Sequence, residues 1–134
     1  MKYKFLEHTA DIKFQAFGKD VEEVFENSVL AMFNSMSKEK IGKEIKKKIK
    51  VSGKDYESLL YNFLEELLFL FDSEGFFLGE VEKSGIKDFK LIAEVAGDKA
   101  ENYELETDVK AVTYNDMFVR EEKGKWIGQV VLDV

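Results

Sequence analysis

The sequence of 134 residues contains no cysteine, no proline and one histidine, His8. Without cysteine there can be no disulfide framework, thiolate nucleophile or zinc–cysteine site. A single histidine excludes a multi-histidine metal centre within one chain. The chain also lacks an uninterrupted apolar run of about 18 residues, so no transmembrane helix is expected. Because its N-terminus lacks the apolar core of a signal peptide, we expect a cytoplasmic protein that has no membrane partner.

Basic residues are in the minority. The chain has 20 basic and 27 acidic residues, which gives a net charge of −7. Proteins that bind nucleic acid through its phosphates usually present a basic face. The one local basic cluster is the lysine-rich stretch 43–50, and runs of this kind are usually solvated. The composition therefore disfavours direct, tight binding of RNA or DNA.

Apolar residues, by contrast, are plentiful. They make up 45% of the chain, and twelve residues are phenylalanine. A chain of this length is the size of one ordinary domain and can bury roughly two-thirds of the surface that it exposes when unfolded. We therefore predict a single domain over residues 1–134, without an internal linker or a low-complexity segment.

The spacing of the apolar residues predicts two amphipathic helices among several strands. The first helix is predicted at about 20–36, where Asp20 is a suitable N-cap residue. The second has an apolar stripe from Leu59 to Phe71 and ends at Gly75, as helices often do at glycine. Alternation with a period of two predicts strands in the remaining segments. These predicted strands are residues 3–8, 12–17, 45–52, 76–82, 90–97, 109–114, 118–121 and 126–133.

The tripeptide Gly-Lys-Asp occurs twice, at 18–20 and at 53–55, each time between a predicted strand and a predicted helix. This repetition indicates a duplicated strand–helix unit. Because each helix carries a single apolar stripe, both helices are expected to pack on one face of one sheet. The predicted fold is therefore α+β: a single domain with a mixed, mostly antiparallel sheet and two helices on one face.

Polar residues interrupt the apolar strands at both ends of the chain. The pentapeptide His-Thr-Ala-Asp-Ile lies at 8–12 between the first two strands, and the last strand contains Asp133. A carboxylate in an apolar strand is costly unless it is paired or bound to a cation. If the last strand lies beside the first pair, Asp11, Asp133 and the C-terminal carboxylate of Val134 form a cluster of hard oxygens. Such a cluster suits Ca²⁺, Mg²⁺ or Mn²⁺, although a lone aspartate at a strand end is more often a turn or cap residue.

The order of these motifs resembles that of the archease family over nearly the whole chain. No single motif is specific, but their combination in a chain of this length is. The matching segments are LEHTADI at 6–12, the capped helix from Asp20, LLYNFLEELLFLFD at 59–72, VKAVTYNDM at 109–117 and the terminal VVLDV.

The resemblance implies a non-enzymatic protein cofactor that activates the tRNA-splicing RNA ligase by promoting its guanylylation and multiple turnover. It implies that Asp11, Asp133 and Val134 ligate a divalent cation, with Ca²⁺ the ion expected in a structure. It also links Lys110 and His8, the only imidazole of the chain, to activation. A tRNA methyltransferase is a second partner that the family implies. The implied fold is a duplicated strand–helix–strand–strand module, which agrees with the repeat.

The chain departs from the family pattern at one position, because VKAVTY is often followed by histidine and here is followed by Asn115. The residues alone also leave an alternative function open: a small-molecule-binding module or a weak metal-dependent hydrolase. An uncovered apolar sheet face would favour that alternative. No Ser-His-Asp or Cys-His set and no phosphate-binding glycine loop is visible, so intrinsic catalysis is not expected.

Overall fold

The computed structural model describes all residues, Met1–Val134. It contains seven strands and two main helices. A short 3₁₀ helix, Ala100–Asn102, follows the fifth strand. Neither main helix combines the length and the apolar character that crossing a bilayer requires. In chain order the elements are β1 (Tyr3–Leu6), β2 (Ile12–Gly18), α1 (Val21–Met36), β3 (Ile45–Ser52), α2 (Tyr56–Glu74), β4 (Phe76–Lys87), β5 (Lys90–Lys99), β6 (Ala111–Glu122) and β7 (Lys125–Asp133).

The strands form two sheets. Sheet A has the order β1-β2-β7-β6, sheet B has the order β3-β5-β4, and every pairing is antiparallel. The α+β class and the two helices are confirmed, but two antiparallel sheets replace the one mixed sheet that the sequence predicted. Each helix contacts strands of both sheets. The helices thus lie between the faces of the two sheets. The sequence could not predict this arrangement, because an alternating pattern does not tell which strands share a sheet.

The two sheets repeat one plan. Elements β3, α2, β4 and β5 form a continuous strand–helix–strand–strand module. Elements β2, α1, β6 and β7 form the other module, which is discontinuous. The continuous module is inserted between its α1 and β6. In both modules the last strand pairs with the other two, giving β2-β7-β6 in sheet A and β3-β5-β4 in sheet B. The duplication indicated by the repeated tripeptide is confirmed, with β1 as an addition at the edge of sheet A.

The Gly-Lys-Asp tripeptide forms the same strand-to-helix turn in both modules. Asp20 and Asp55 each cap a helix, accepting a hydrogen bond from the main-chain N–H three residues later, at 2.9 and 2.7 Å. A side chain at Gly18 or Gly53 would collide with the first turn of the following helix. Glycine is therefore needed at both positions because the chain turns back closely on itself.

An asparagine in each helix returns to the strand before the turn. The Asn27 Nδ2 donates to the carbonyl of Phe17 at 2.7 Å, and the Asn62 Nδ2 donates to the carbonyl of Ser52 at 2.8 Å. Both bonds span ten residues. Asn27 is buried, whereas Asn62 is half-exposed. The same bond thus occurs once in the interior and once near solvent.

This difference predicts unequal losses of stability. Asn27→Ala is expected to lower the free energy of unfolding by about 1–2 kcal/mol, and Asn62→Ala by roughly half as much. The reason is that a carbonyl released near solvent can bind water, whereas one released in the interior cannot do so readily. Urea denaturation of the two variants measures both values, and equal losses would contradict this explanation.

A core of 29 buried residues joins the two modules. Phe25 of α1 stacks on Phe63 of α2, with ring centroids 6.3 Å apart. In sheet A, Phe14 of β2 lies opposite Val130 of β7, and both are fully buried. Core packing therefore fixes the two strands that lead to the polar end of the sheet.

Candidate functional site

The site residues predicted from the sequence lie at one end of sheet A. Ile12 of β2 lies opposite Leu132 of β7, so the same register continued by one residue sets Asp11 opposite Asp133. On the other side of β7, the main-chain N–H of Lys110 donates to the carbonyl of Asp133 at 2.8 Å. The first strand pair and the last strand are thus neighbours, as a site shared by the two ends of the chain requires.

The negative charges of the two aspartates at this end have few compensating partners within the chain. The side chain of Asp133 is exposed and forms no hydrogen bond or ion pair within the chain. Asp11 is half-buried, and its Oδ2 lies 3.7 Å from the Nδ1 of His8. Like charges directly opposite each other on neighbouring strands destabilise a sheet. A cation between the two carboxylates would remove that repulsion.

The donor chemistry at this end fits a hard divalent cation. No group of three His, Cys, Asp or Glu side chains is arranged to hold a metal ion. The family resemblance implies the terminal carboxylate of Val134 as the third oxygen donor, and the side chain of Val134 packs partly buried against the core. Oxygen ligands completed by water suit Ca²⁺ or Mg²⁺. The set does not suit zinc in a structural site, which takes four nitrogen or sulfur ligands.

Lys110 and His8, which the family resemblance links to activation, are exposed at the same end. The ammonium of Lys110 forms no ion pair, and the imidazole of His8 has only Asp11 nearby. Asn115, at the position where the family often has histidine, is exposed, and its N–H donates to the Oγ1 of Thr113 at 3.2 Å. These side chains can therefore reach a partner without a change in the core.

The loop between β1 and β2 holds Asp11 through an unusual main-chain conformation. Ala10, the preceding residue, has a φ of 68°, in the left-handed region that residues with a Cβ seldom adopt. Such a conformation costs about 1–2 kcal/mol, and strained residues of this kind cluster at functional sites. The same conformation occurs in the hairpin turns at Asp88, Phe89 and Lys123, so at Ala10 it marks a tight turn directly before Asp11.

An open cavity of about 310 Å³ lies beside Asp11. Its apolar wall comes from Phe5 and Leu6, and its charged lining includes Lys38 and Glu106. Sites for small molecules usually enclose most of the ligand surface. Because this cavity is open to solvent and has charges of both signs in its lining, it suits a surface contact with a partner better than an enclosed substrate.

Strand β6 contains a large bulge opposite β7. From Thr113 to Phe118, β6 advances five residues while β7 advances two. The sequence predicted two strands with a turn between them, whereas β6 continues as one strand through the bulge. Within it, Asp116 has a φ of 54°, and its Oδ2 lies 3.6 Å from the Nζ of Lys13. The bulge thus contacts β2 close to Asp11.

Gln129 fixes the position of the bulge. Its Nε2 donates to the carbonyl of Asp116 at 2.7 Å, and its Oε1 accepts from the Nε2 of Gln15 at 2.9 Å. Only 8% of Gln129 is exposed, and a buried amide satisfied at both ends has a defined orientation. Gln129 escaped prediction from the sequence, although it is, like Asp133, a polar residue in an apolar strand.

Helix α2 holds the other side of the bulge. Tyr114 of the bulge stacks on Tyr61 of α2, with ring centroids 4.2 Å apart and planes 8° apart. Partial burial, together with the proximity of Tyr61 and Asp55, raises the pKa of the Tyr114 hydroxyl above its usual value. Glu57 and Glu65 of α2 accept hydrogen bonds from main-chain N–H groups of β6 at 2.9 and 3.2 Å. The bulge is therefore held by both of its neighbours.

Known proteins match this chain over almost its full length. Residues 3–134 match the family model described as the Archease protein family. Protein archease of Methanosarcina mazei is 41% identical over 140 residues, which cover 99% of this chain and 96% of that protein. Protein archease of Pyrococcus furiosus is 42% identical over 140 residues, which cover 99% of both.

Solved structures with the same fold are also known. The solution structure of Methanobacterium thermoautotrophicum protein 1598 aligns with a TM-score of 0.82 at 35% identity, covering 99% of each chain. The crystal structure of a Thermotoga maritima archease, described as a possible chaperone, aligns with a TM-score of 0.69. Its sequence is 20% identical, and the alignment covers 98% of this chain and 96% of that one, so it supports the fold alone.

Proposed function

The chain belongs to the archease family, and from this premise we propose that it is a metal-binding protein cofactor that activates the tRNA-splicing RNA ligase. In this proposal it promotes guanylylation and multiple turnover of the ligase and catalyses no reaction itself. The observation that carries the proposal is that the strand ends next to Asp11 and Asp133 are neighbours in sheet A, because Ile12 pairs with Leu132. The two family motifs that contain them are adjacent there, although Asp11 and Asp133 are 122 residues apart in the sequence.

A divalent cation would be held by Asp11, Asp133 and the terminal carboxylate of Val134. The bound ion would neutralise the opposed carboxylates. Ca²⁺ tolerates irregular arrangements of oxygen ligands, whereas Mg²⁺ demands near-octahedral geometry and keeps more of its water. The loop residue Ala10 fixes the main chain before Asp11, and the hydrogen bond from Lys110 fixes the main chain at Asp133.

The same hydrogen bond links the proposed cation site to Lys110. Because the main chain of Lys110 is hydrogen-bonded to that of Asp133, a displacement of the Asp133 main chain would also displace Lys110. The exposed ammonium of Lys110 would then contact an anionic group of the ligase. The net charge of −7 also favours encounter with a basic protein surface, because complementary potentials raise association rates.

Sheet B lacks the feature that would favour a small-molecule-binding module. A small-molecule-binding module was expected to show an uncovered apolar sheet face. The outward face of sheet B carries exposed lysines instead, and the cavity beside Asp11 is open and charged. These observations support the activator over the binding module.

Reconstitution tests the proposed function. Adding the protein to purified ligase with RNA ends, GTP and Mn²⁺ is expected to raise guanylylation and turnover by at least about tenfold, equivalent to about 1.4 kcal/mol of activation free energy. Lys110→Ala should lose most of this stimulation, whereas Lys125→Ala, at the opposite end of β7, should keep it. Unchanged ligase activity in the presence of the natural chain would refute the proposal.

A further inference from the structure

The outer face of sheet B is open to solvent. Alternation along β5 turns Leu91, Ala93 and Val95 into the core and the residues between them outward. Ile92, in the outward row, is 49% exposed. Gly85 lies opposite Ile92 on β4, and a Cβ added to it would meet nothing within 4 Å. The centre of this face is therefore flat and uncovered.

Five exposed lysines surround this centre, and they come from all three strands of sheet B. Strand pairing aligns them in rows. Glu94 of β5 lies opposite both Lys48 of β3 and Lys83 of β4. In the next rows Lys50 lies opposite Ile92, and Lys87 lies opposite Lys90. We define the basic face as Lys48, Lys50, Lys83, Lys87 and Lys90.

The charge of the basic face is not neutralised. None of its five lysines forms an ion pair, and Glu94 is the one carboxylate in the three rows, so the net charge is +4. The whole chain carries −7, so the remainder carries −11. Neighbouring lysines outside the face are paired: Lys43, Lys46 and Lys47 lie 3.0, 2.6 and 2.6 Å from glutamates.

Protection of sheet edges does not account for the whole face. Lysine on an edge strand discourages pairing with another chain, and β3 and β4 are both edge strands. That purpose needs lysines at the edges alone. It does not require Lys90 on the central strand, nor a shortage of acidic residues between the two edges.

We propose that the basic face binds the phosphate backbone of RNA through charge alone. Lys48 and Lys50 are two residues apart on one strand, about 6.7 Å, which is comparable with the spacing of successive phosphates in a single strand. Five phosphate contacts give weak, salt-sensitive binding. This agrees with the expectation from composition that tight binding of nucleic acid is disfavoured.

The composition of the face favours a nucleic acid over a protein partner. Protein–protein interfaces are depleted in lysine at their centre, whereas interfaces with nucleic acid are strongly positive and hydrated. The three rows contain no aromatic ring on which a base could stack, so binding should not depend on sequence. The choice of RNA among polyanions rests on the proposed function, in which the ligase joins RNA ends.

Direct binding of RNA without the ligase tests this proposal. A fluorescent single-stranded RNA of about 15 nucleotides, close to the site size of single-strand-binding folds, is titrated with the protein at increasing salt. The logarithm of the affinity should fall with the logarithm of salt concentration with a slope of about −3.5. Fluorescence anisotropy gives the affinity at each salt concentration.

A pair of matched variants locates the binding. Reversing four charges of the face should weaken binding at least about tenfold at low salt, because most of the phosphate contacts are lost. Reversing four exposed lysines elsewhere changes the net charge equally and should have a much smaller effect. Glutamine at the four face positions should weaken binding in the same direction without adding repulsion. The face variant is K48E/K50E/K83E/K87E, and the control is K19E/K40E/K123E/K125E.

Three results would overturn the proposal. They are no binding of RNA by the natural chain at low salt, equal losses in the face and control variants, and tighter binding of poly-glutamate than of RNA. Because the assay contains no ligase, failure here is distinct from failure of ligase activation. A chain that activates the ligase but does not bind RNA would keep the proposed function and lose this inference.

Discussion

Asp11→Asn and Asp133→Asn are each expected to abolish activation of the RNA ligase while leaving the fold intact. Asparagine has the shape of aspartate but no charge, so it removes an anionic ligand without creating a cavity. Both side chains lie at the ends of strands, outside the core. The free energy of unfolding should therefore change by less than about 0.5 kcal/mol in the absence of metal.

Thermal unfolding gives a readout that does not depend on the ligase. In EDTA, Asp133→Asn should be at least as stable as the natural chain, because the opposed negative charges are relieved. Added Ca²⁺ at about one hundred times its dissociation constant should stabilise the natural chain by about 2.7 kcal/mol. It should stabilise neither variant.

Asp72→Asn is the matched control for these experiments, because Asp72 is exposed on α2 away from the site. It should retain both the calcium response and the activation of the ligase. A calcium response in Asp11→Asn equal to that of the natural chain would exclude Asp11 as a ligand. Full activation by both site variants would exclude the metal site from the mechanism.

Gly97→Ala is expected to lower the free energy of unfolding by more than about 2 kcal/mol. A Cβ on Gly97 of β5 would overlap the main-chain oxygen of Phe77 and approach the ring of Phe76 to 2.9 Å. A main-chain oxygen cannot move aside as a flexible side chain can, so the two strands of sheet B must separate. The midpoint of thermal unfolding should fall by roughly 6–8 °C.

Gly85→Ala is the control in the same sheet. Nothing lies within 4 Å of a Cβ at Gly85, and its φ is not positive. Alanine there restricts the unfolded chain and should leave stability unchanged or raise it by up to about 1 kcal/mol. Urea denaturation of the two variants compares them directly. A loss at Gly85 as large as that at Gly97 would show that backbone propensity, and not the collision, decides the outcome.

Local signals made the helices predictable. Asp20 caps α1, which begins at Val21, and Gly75 ends α2 in the left-handed conformation with a φ of 68°. Each signal acts within one turn of the chain, so it is readable from neighbouring residues. The division into two sheets was not predictable in the same way. It depends on pairings such as Gln15 with Gln129, which are 114 residues apart.

The candidate site was predictable in part for the same reason. Asp11 and Asp133 stand out as carboxylates between apolar residues, and a resemblance to a known family brought them together. The bulge in β6 had only a local signal, Asn115 and Asp116, and that signal is typical of a turn. It becomes a bulge because both flanks pair with β7. Gln129, which holds the bulge, has meaning only once its partners on β2 and β6 are known.

The insertion of one module into the other sets an order for folding. Strands β3, β4 and β5 lie within residues 45–99 and can pair as soon as that segment leaves the ribosome. Strand β2 must wait for β7, which is synthesised last of the strands, and closing so long a loop carries a greater entropic cost. Asp11 can therefore meet Asp133 only after β7 has been synthesised. A chain that stops before β7 could form sheet B but not the proposed cation site, so activity of this protein would report that β7 has been synthesised and paired.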